Sequence, residues 1–424
     1  MIMPKPPRIK SIGISHLALP RTVVMPNGVL LYVLEGGTQE VVRLDFLFSG
    51  GYAIQQLPLQ ALFTNRMLRE GCTGCSGDEI ARKLDYCGAW IDMYSSQNCN
   101  HITLYALSKH IPAMVELLAS MVKQPLFPER NLDIVRRNNK SHYQISSRKV
   151  EAVAQRYFEQ ALWGKSHPLG HIVVADDYDN ITRDILVDYH QKVYNSHNCT
   201  LFASGKVDEK TVDTIRAAFG DDGWGSENVI MDFIPDAPAS LPGRKKVVLP
   251  EVMQSAVKVG CMVADASHDD FFKLRFMTVL FGGYFGSRLM SNIRERNGYT
   301  YHIQAELDAY GKRNALMIST ETANETVEPL LAEIYNEMAR LRTETVPQEE
   351  LELVRNYTIG ELCREYEGIM AKADVFINTW LSGGQFDSVN KYLDVVSDVS
   401  SSDIKNLANR YLLPESMCEI VVGA

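Results

Sequence analysis

The chain repeats itself, and this restricts its possible folds more than any other feature. An apolar-periodic helix from Ile111 to Val122 leads into Pro128-Glu-Arg-Asn-Leu132-Asp-Ile-Val135-Arg136. A second such helix, from about Val327 to Leu341, leads into Pro347-Gln-Glu-Glu-Leu351-Glu-Leu-Val354-Arg355. Pro, Leu, Val and Arg recur at identical spacing, 219 residues apart. A proline at the first helical position, followed by Leu and Val three apart, is a helix start with one buried stripe. A second echo closes each half: Tyr194-Asn-Ser-His-Asn-Cys-Thr-Leu-Phe-Ala-Ser-Gly205 parallels Tyr411 to Gly423 with one gap allowed, each reading as helix end, turn and strand. A length of 424 residues suits two cores, since single cores stop growing beyond roughly 250–300 residues. Between the repeats, from Gly220 to about Pro242, the chain is rich in Gly, Asp and Pro and apolar periodicity lapses. The expected division is an N-terminal domain over 1–222, a linker over 223–243 and a homologous C-terminal domain over 244–424.

Strands come in pairs within each half. Val29 to Glu35 and Val42 to Phe48 precede a helix from Leu59 to Arg69, and Trp90 to Ser95 and His101 to Leu107 follow it with period-two alternation. In the second half, Val257 to Val263 precedes a helix from Phe272 to Leu280 and the stretch Ser287 to Arg296. Strands at Tyr299 to Leu307 and Ala315 to Thr320 then follow. Paired strands with helices on one face of a mostly antiparallel sheet make an α+β fold, repeated twice.

A net charge of −9 opposes nucleic-acid binding, which needs a basic face to release counterions from phosphate. The basic cluster Arg136, Arg137, Lys140, Arg148 and Lys149 lacks interleaved aromatics and reads as a solvated helix face. The first residues, Met-Ile-Met-Pro-Lys-Pro-Pro-Arg, carry charge and proline where a signal peptide would be apolar. No run approaches the ~20 apolar residues of a membrane span. A cytoplasmic protein with no membrane partner is expected. Eight cysteines are scattered through the chain, and reduced core thiols are the expectation. Only Cys72-Thr-Gly-Cys75 has ligand-like spacing, and no second pair follows at a suitable interval.

Several segments together resemble the pitrilysin/insulinase family of metallopeptidases, the inverted zincins. These are Met25-Pro-Asn-Gly28, His167-Pro-Leu-Gly170, the Tyr194 to Gly205 turn and strand, and Phe281-Gly-Gly-Tyr-Phe-Gly-Ser-Arg-Leu289 running into Ile293-Arg-Glu-Arg-Asn-Gly-Tyr-Thr-Tyr301. The resemblance implies the processing-peptidase-like metallohydrolase fold over nearly the whole chain. In that family a helix carries His-x-x-Glu-His, two imidazole ligands for zinc with a glutamate base. Here the matching residues are Leu62-Phe-Thr-Asn65-Arg66. Leu62 has no lone pair, Asn65 cannot take a proton at neutral pH, and Arg66 is a permanent cation. The third ligand, a glutamate, falls by alignment at Ser141 or His142. No metal is therefore expected in this chain. His167 and His171 are spaced i, i+4, but Pro168 and Gly170 break the helix that metal binding would need.

The resemblance also carries an arginine and a tyrosine onto Arg294 and Tyr301. In the family's active enzymes these sit opposite the zinc and hold the substrate carbonyl as it becomes tetrahedral. Gly298 can end a helix, and a strand starting at Tyr299 would place Tyr299, Tyr301 and Ile303 on one face. Without the resemblance, Arg294 reads as a surface ion pair and Tyr301 as core. Gly282, Gly283 and Gly286 lack the spacing of a phosphate loop and read as close packing at a turn. The implied function is a non-zinc subunit, inactive alone, lending Arg294 and Tyr301 to a homologous zinc-carrying partner that cleaves unfolded peptides. A homodimeric peptide-binding module stays open. So does a catalytically inactive scaffold like the zinc-less core subunits of a respiratory complex.

Overall fold

A computed structural model describes residues 16–227 and 241–423. The fold is α+β. The first sheet has six strands in the spatial order Arg21–Val24, Leu30–Glu35, Cys199–Gly205, Val41–Ser49, Cys99–Leu107 and Trp90–Ser95. The second has five, in the order Ile303–Tyr310, Arg313–Ala323, Gln254–Val263, Cys418–Gly423 and Gly243–Val248. Each sheet contains one parallel pair, Leu30–Glu35 with Cys199–Gly205 and Gly243–Val248 with Cys418–Gly423, and every other pairing is antiparallel. In both, the parallel partner is the last strand of its half, which returns to lie beside the half's central strand.

The repeat read from two short motifs extends through the helices. Helix Glu129–Ser146 corresponds to Gln348–Glu365, and Val150–Trp163 to Ile369–Leu381. The prolines before the first of these helices, Pro128 and Pro347, stand at the cap position with extended ψ of 127° and 146°, one residue earlier than expected. That position also suits proline, because no helical N–H is lost there.

One face of each sheet is covered by its own half's helices, giving the two large cores around Phe46 and Phe63 and around Phe276 and Leu330. The other face is covered by a helix from the opposite half. Val150–Trp163 lays Ala154, Phe158 and Leu162 against Ala256, Met317 and Ile420 of the second sheet. Ile369–Leu381 lays Ala373, Phe376 and Ile377 against Leu34, Leu47 and Phe202 of the first. Strands buried on both faces lose the alternation of a half-exposed sheet. In Val41–Ser49 every residue from Val42 to Phe48 is accordingly buried, including Arg43 and Asp45.

Sequence and structure differ in a few elements. The strand expected from Tyr299 begins at Ile303, and 299–302 run as irregular chain with a bend at Tyr301 instead. Between the hairpin at Cys72–Cys75 and the strand Trp90–Ser95 lies a further helix, Gly77–Cys87, with a capping box between Ser76 and Glu79. The stretches Val279–Gly283 and Met290–Arg296 are wound as π-helix. Most of the expected linker, and the N-terminal residues read for a signal peptide, lie outside the described residues.

Candidate functional site

The helix that would carry the zinc motif, Gln60–Met67, begins after Leu59, which is held at a left-handed φ of 70°. Leu62 packs against the first core. Asn65 is wholly buried, and its Nδ2 donates to the carbonyls of Tyr94 at 2.7 Å and His101 at 3.1 Å. The side chain at the position of the base thus ties the helix to the edge strand Trp90–Ser95 and its neighbour. Its buried Oδ1 has no hydrogen-bond partner among the described residues. Arg66 reaches out to helix Glu129–Ser146 and donates to Asn139 Oδ1. His142, on that same helix, is exposed. These residues do not fit zinc, because a cation and an apolar side chain stand where two ligands should be. Among the described residues no group of three or more His, Cys, Asp or Glu could hold a metal ion.

Arg294 and Tyr301 lie in the second half, on a segment fixed from several sides. Asn292 Nδ2 donates to Glu333 and Glu337, each at 2.8 Å, anchoring the π-helical turn to helix Val327–Thr343. Gly298 ends the turn at φ 67°, a conformation glycine adopts without strain. The following residues are held by threonines. Thr300 Oγ1 donates to the Glu321 carbonyl at 2.6 Å, Thr320 Oγ1 to the His302 carbonyl at 2.7 Å, and Thr322 Oγ1 to the Tyr299 carbonyl at 2.6 Å.

From this pinned, irregular segment the Tyr301 ring projects with 88% of its surface exposed, so it is not a core residue. Arg294 has no carboxylate partner among the described residues and lies over the Phe285 ring at 4.8 Å, Phe285 itself being 58% exposed. Gly282 permits the close approach beneath, since a Cβ there would meet Ala305 N at 2.6 Å. Tyr301 also borders a groove that sequence reasoning missed, of about 420 Å³, with His302, Lys258 and Glu151. Lys258 is only 3% exposed and pairs with Glu151 at 3.4 Å. These two groups meet only because helix Val150–Trp163 crosses to the second sheet, and no local sequence signal announces that.

Other expectations find simple places. His167 is buried, stacks on Trp163 at 4.7 Å and accepts the Leu169 N–H within a short 3₁₀ turn. His171 pairs with Asp177 at 2.9 Å. Cys72 and Cys75 face each other across a tight hairpin, and seven of the cysteines are buried while Cys363 is exposed. Burial pushes the Cys72 thiol above its ordinary range, so it is a poor thiolate.

Two family models match the chain. "Insulinase (Peptidase family M16)" covers residues 60–176, and "Peptidase M16 inactive domain" covers 180–357. The chain belongs to the M16 peptidase family. An uncharacterized zinc protease of Rickettsia bellii is 22% identical over 86% of this M16 chain and 87% of its own length. The non-peptidase homolog YmxG of Helicobacter pylori is 22% identical over 86% and 84%. The mitochondrial-processing peptidase subunit alpha-1 of Dictyostelium discoideum is 23% identical over 46% of this chain and 31% of its own. Among solved structures, the peptidase M16 inactive domain from Pseudomonas fluorescens superposes with a TM-score of 0.85 at 20% identity, covering 95% of this chain and 98% of that one. A chain of complex III2 from Candida albicans gives 0.75 at 13% identity, covering 95% of each. At these identities the structural likenesses show the fold. The M16 matches agree with a chain of the inactive type, and the positions expected for the zinc motif contact backbone carbonyls, the first core and Asn139.

Proposed function

We propose that this chain is the non-zinc subunit of an M16 peptidase. It supplies Arg294 and Tyr301 to a homologous subunit that carries zinc and cleaves unfolded peptides. The observation that carries this reading is Tyr301, whose ring is exposed while the residues on either side of it, Tyr299, Thr300 and His302, are tied down by threonine hydroxyl hydrogen bonds. A tyrosine serving only packing would be buried, and an idle surface residue needs no such support. Arg294, free of any carboxylate among the described residues, offers a guanidinium fork at the neighbouring segment. Hydrogen-bond donors of these types are what an oxygen gaining charge requires, and a preorganised one is worth on the order of 10²- to 10³-fold in rate. Peptide would bind by adding a strand to an exposed sheet edge, with Trp90–Ser95 and Ile303–Tyr310 as the candidate edges.

The test mixes the purified chain with a homologue carrying His-x-x-Glu-His and follows cleavage of a quenched peptide. Activity is expected only in the mixture. Tyr301→Phe should lower kcat on the order of a hundredfold with co-purification unchanged. Arg294→Lys, set beside Arg294→Ala, separates charge from fork geometry. Chelator-sensitive cleavage by the isolated chain would end this reading.

A second reading is a non-catalytic scaffold, favoured by the likeness to a chain of complex III2 and by the relative named a non-peptidase homolog. It becomes the better account if both variants assemble and support cleavage at the wild-type rate.

A further inference from the structure

Four helices of the second half, Phe271–Thr278, Gln348–Glu365, Ile369–Leu381 and Ser388–Asp398, contribute the lining of a cavity of about 180 Å³. Helix Ile369–Leu381 turns Ala373, Phe376 and Ile377 toward the first sheet and lines the cavity with Val375 and Asn378 from another side. Phe272, Val375 and Val389 give the cavity an apolar wall, and its polar groups stand open. Tyr392 is only 2% exposed, and its buried hydroxyl has no hydrogen-bond partner among the described residues. A buried hydroxyl left unmet is costly and calls for a partner. Arg275, the one cation in the lining, lies over the Tyr392 ring at 4.3 Å and forms no ion pair with a carboxylate among the described residues. A guanidinium stacked on a ring keeps its in-plane N–H groups for an acceptor. Glu365, the one acid in the lining, is exposed and has no paired cation among the described residues. Burial raises the pKa of Tyr392, so its phenol keeps its proton and remains a donor.

We infer that this cavity binds a free α-amino acid with an apolar side chain. One unpaired guanidinium and one unpaired carboxylate in a single small cavity match the two opposite charges of a zwitterion. Arg275 takes the α-carboxylate through planar, charge-assisted hydrogen bonds, and the Tyr392 hydroxyl donates to the same group. Glu365 takes the ammonium, and the side chain packs against Phe272, Val375 and Val389. Like charge at Glu365 sets the site against phosphates and other multiply charged anions. Pockets for drug-sized ligands run to roughly 300–1,000 Å³, so this smaller one suits a single amino acid and not a nucleotide or an extended peptide. Bound there, the ligand fastens the crossing helix Ile369–Leu381 to its own half. The inference draws on neither Arg294 nor Tyr301 and stands apart from the proposed peptidase role.

The experiment is isothermal titration calorimetry on the full chain with L-leucine, leucinamide, 4-methylpentanoate and inorganic phosphate. Leucinamide lacks the carboxylate and 4-methylpentanoate lacks the ammonium, so each should bind about tenfold weaker than leucine or worse. Arg275→Gln should erase the preference over leucinamide, and Glu365→Gln the preference over 4-methylpentanoate. Glu365 is exposed, so Glu365→Gln should fold normally. Tyr392→Phe keeps the ring and removes only the unmet hydroxyl. The empty variant should therefore melt no lower than the wild type, while leucine binds several-fold more weakly and raises the melting temperature less. A purely structural hydroxyl would give the reverse, a lower melting temperature at unchanged affinity. No binding of leucine at millimolar concentration, equal binding of either analogue, or an unchanged preference in Glu365→Gln would overturn the inference. Displacement of leucine by phosphate would overturn it too, by reassigning the cavity to inorganic anions.

Discussion

At Asn65, the position expected for the catalytic base, the side chain serves structure. Its amide donates to two backbone carbonyls from a wholly buried position, so a carboxylate there would face two acceptors with no proton to give. Asn65→Glu, the change that nominally restores the base, should destabilise the chain by roughly 2–4 kcal/mol. Chemical denaturation would show it as a lower midpoint at unchanged slope. The purified wild-type chain should hold no stoichiometric zinc by elemental analysis, and one tightly bound zinc per chain near Leu62 or His142 would contradict the site described above. The absence of ligands was legible in Leu62, Asn65 and Arg66, because residue type alone decides it. Their new contacts were not, since Tyr94, His101 and Asn139 are distant in sequence. Tyr301 shows the same limit from the other side: aromatic character suggested core, and only the irregular segment 299–302 reveals the exposed ring.

Among the elements, the edge strand Ile303–Tyr310 carries a measurable pH response. Burial, and then Glu306 beside it, push the Asp308 carboxyl up to about 6, and Lys258 opposes them. The folded pKa lies above the ordinary carboxylate value, so this group's contribution is complete below about pH 4. It is lost as pH rises through about 6. Asp308→Asn should therefore raise stability by about 1–2 kcal/mol at pH 7.5 and change little at pH 4. Thermal melts of the pair at both pH values check this, and an equal shift at each pH would refute it. Elements defined by local pattern, such as the strands Trp90–Ser95 and Val41–Ser49, were readable to within a residue or so. The π-helical turns at Val279–Gly283 and Met290–Arg296 were not, because π-winding depends on tertiary anchors like Asn292 to Glu333 and Glu337.

For the molecule as a whole, the repeat foretold two similar halves but not that each would close over the other. Pattern reports which residues are apolar, and it is silent on which sheet an apolar helix will cover. Helices Val150–Trp163 and Ile369–Leu381 cross in opposite directions, so either half alone would expose a sheet face together with its own stranded helix. A chain opened between residues 227 and 241 should yield two fragments that bind a hydrophobic dye and aggregate separately. Mixed, they should recover one cooperative thermal transition. Two independent transitions in the fragments, matching those of the intact chain, would show that the crossing is dispensable. The exchange of arms has the geometry of a swapped dimer written into one polypeptide. Its covalent connection then serves chiefly to keep the two arms at an effective concentration on the order of millimolar. The chain should consequently tolerate a long flexible insertion at the junction far better than a single charge placed at Phe158 or Phe376, where each arm meets its host.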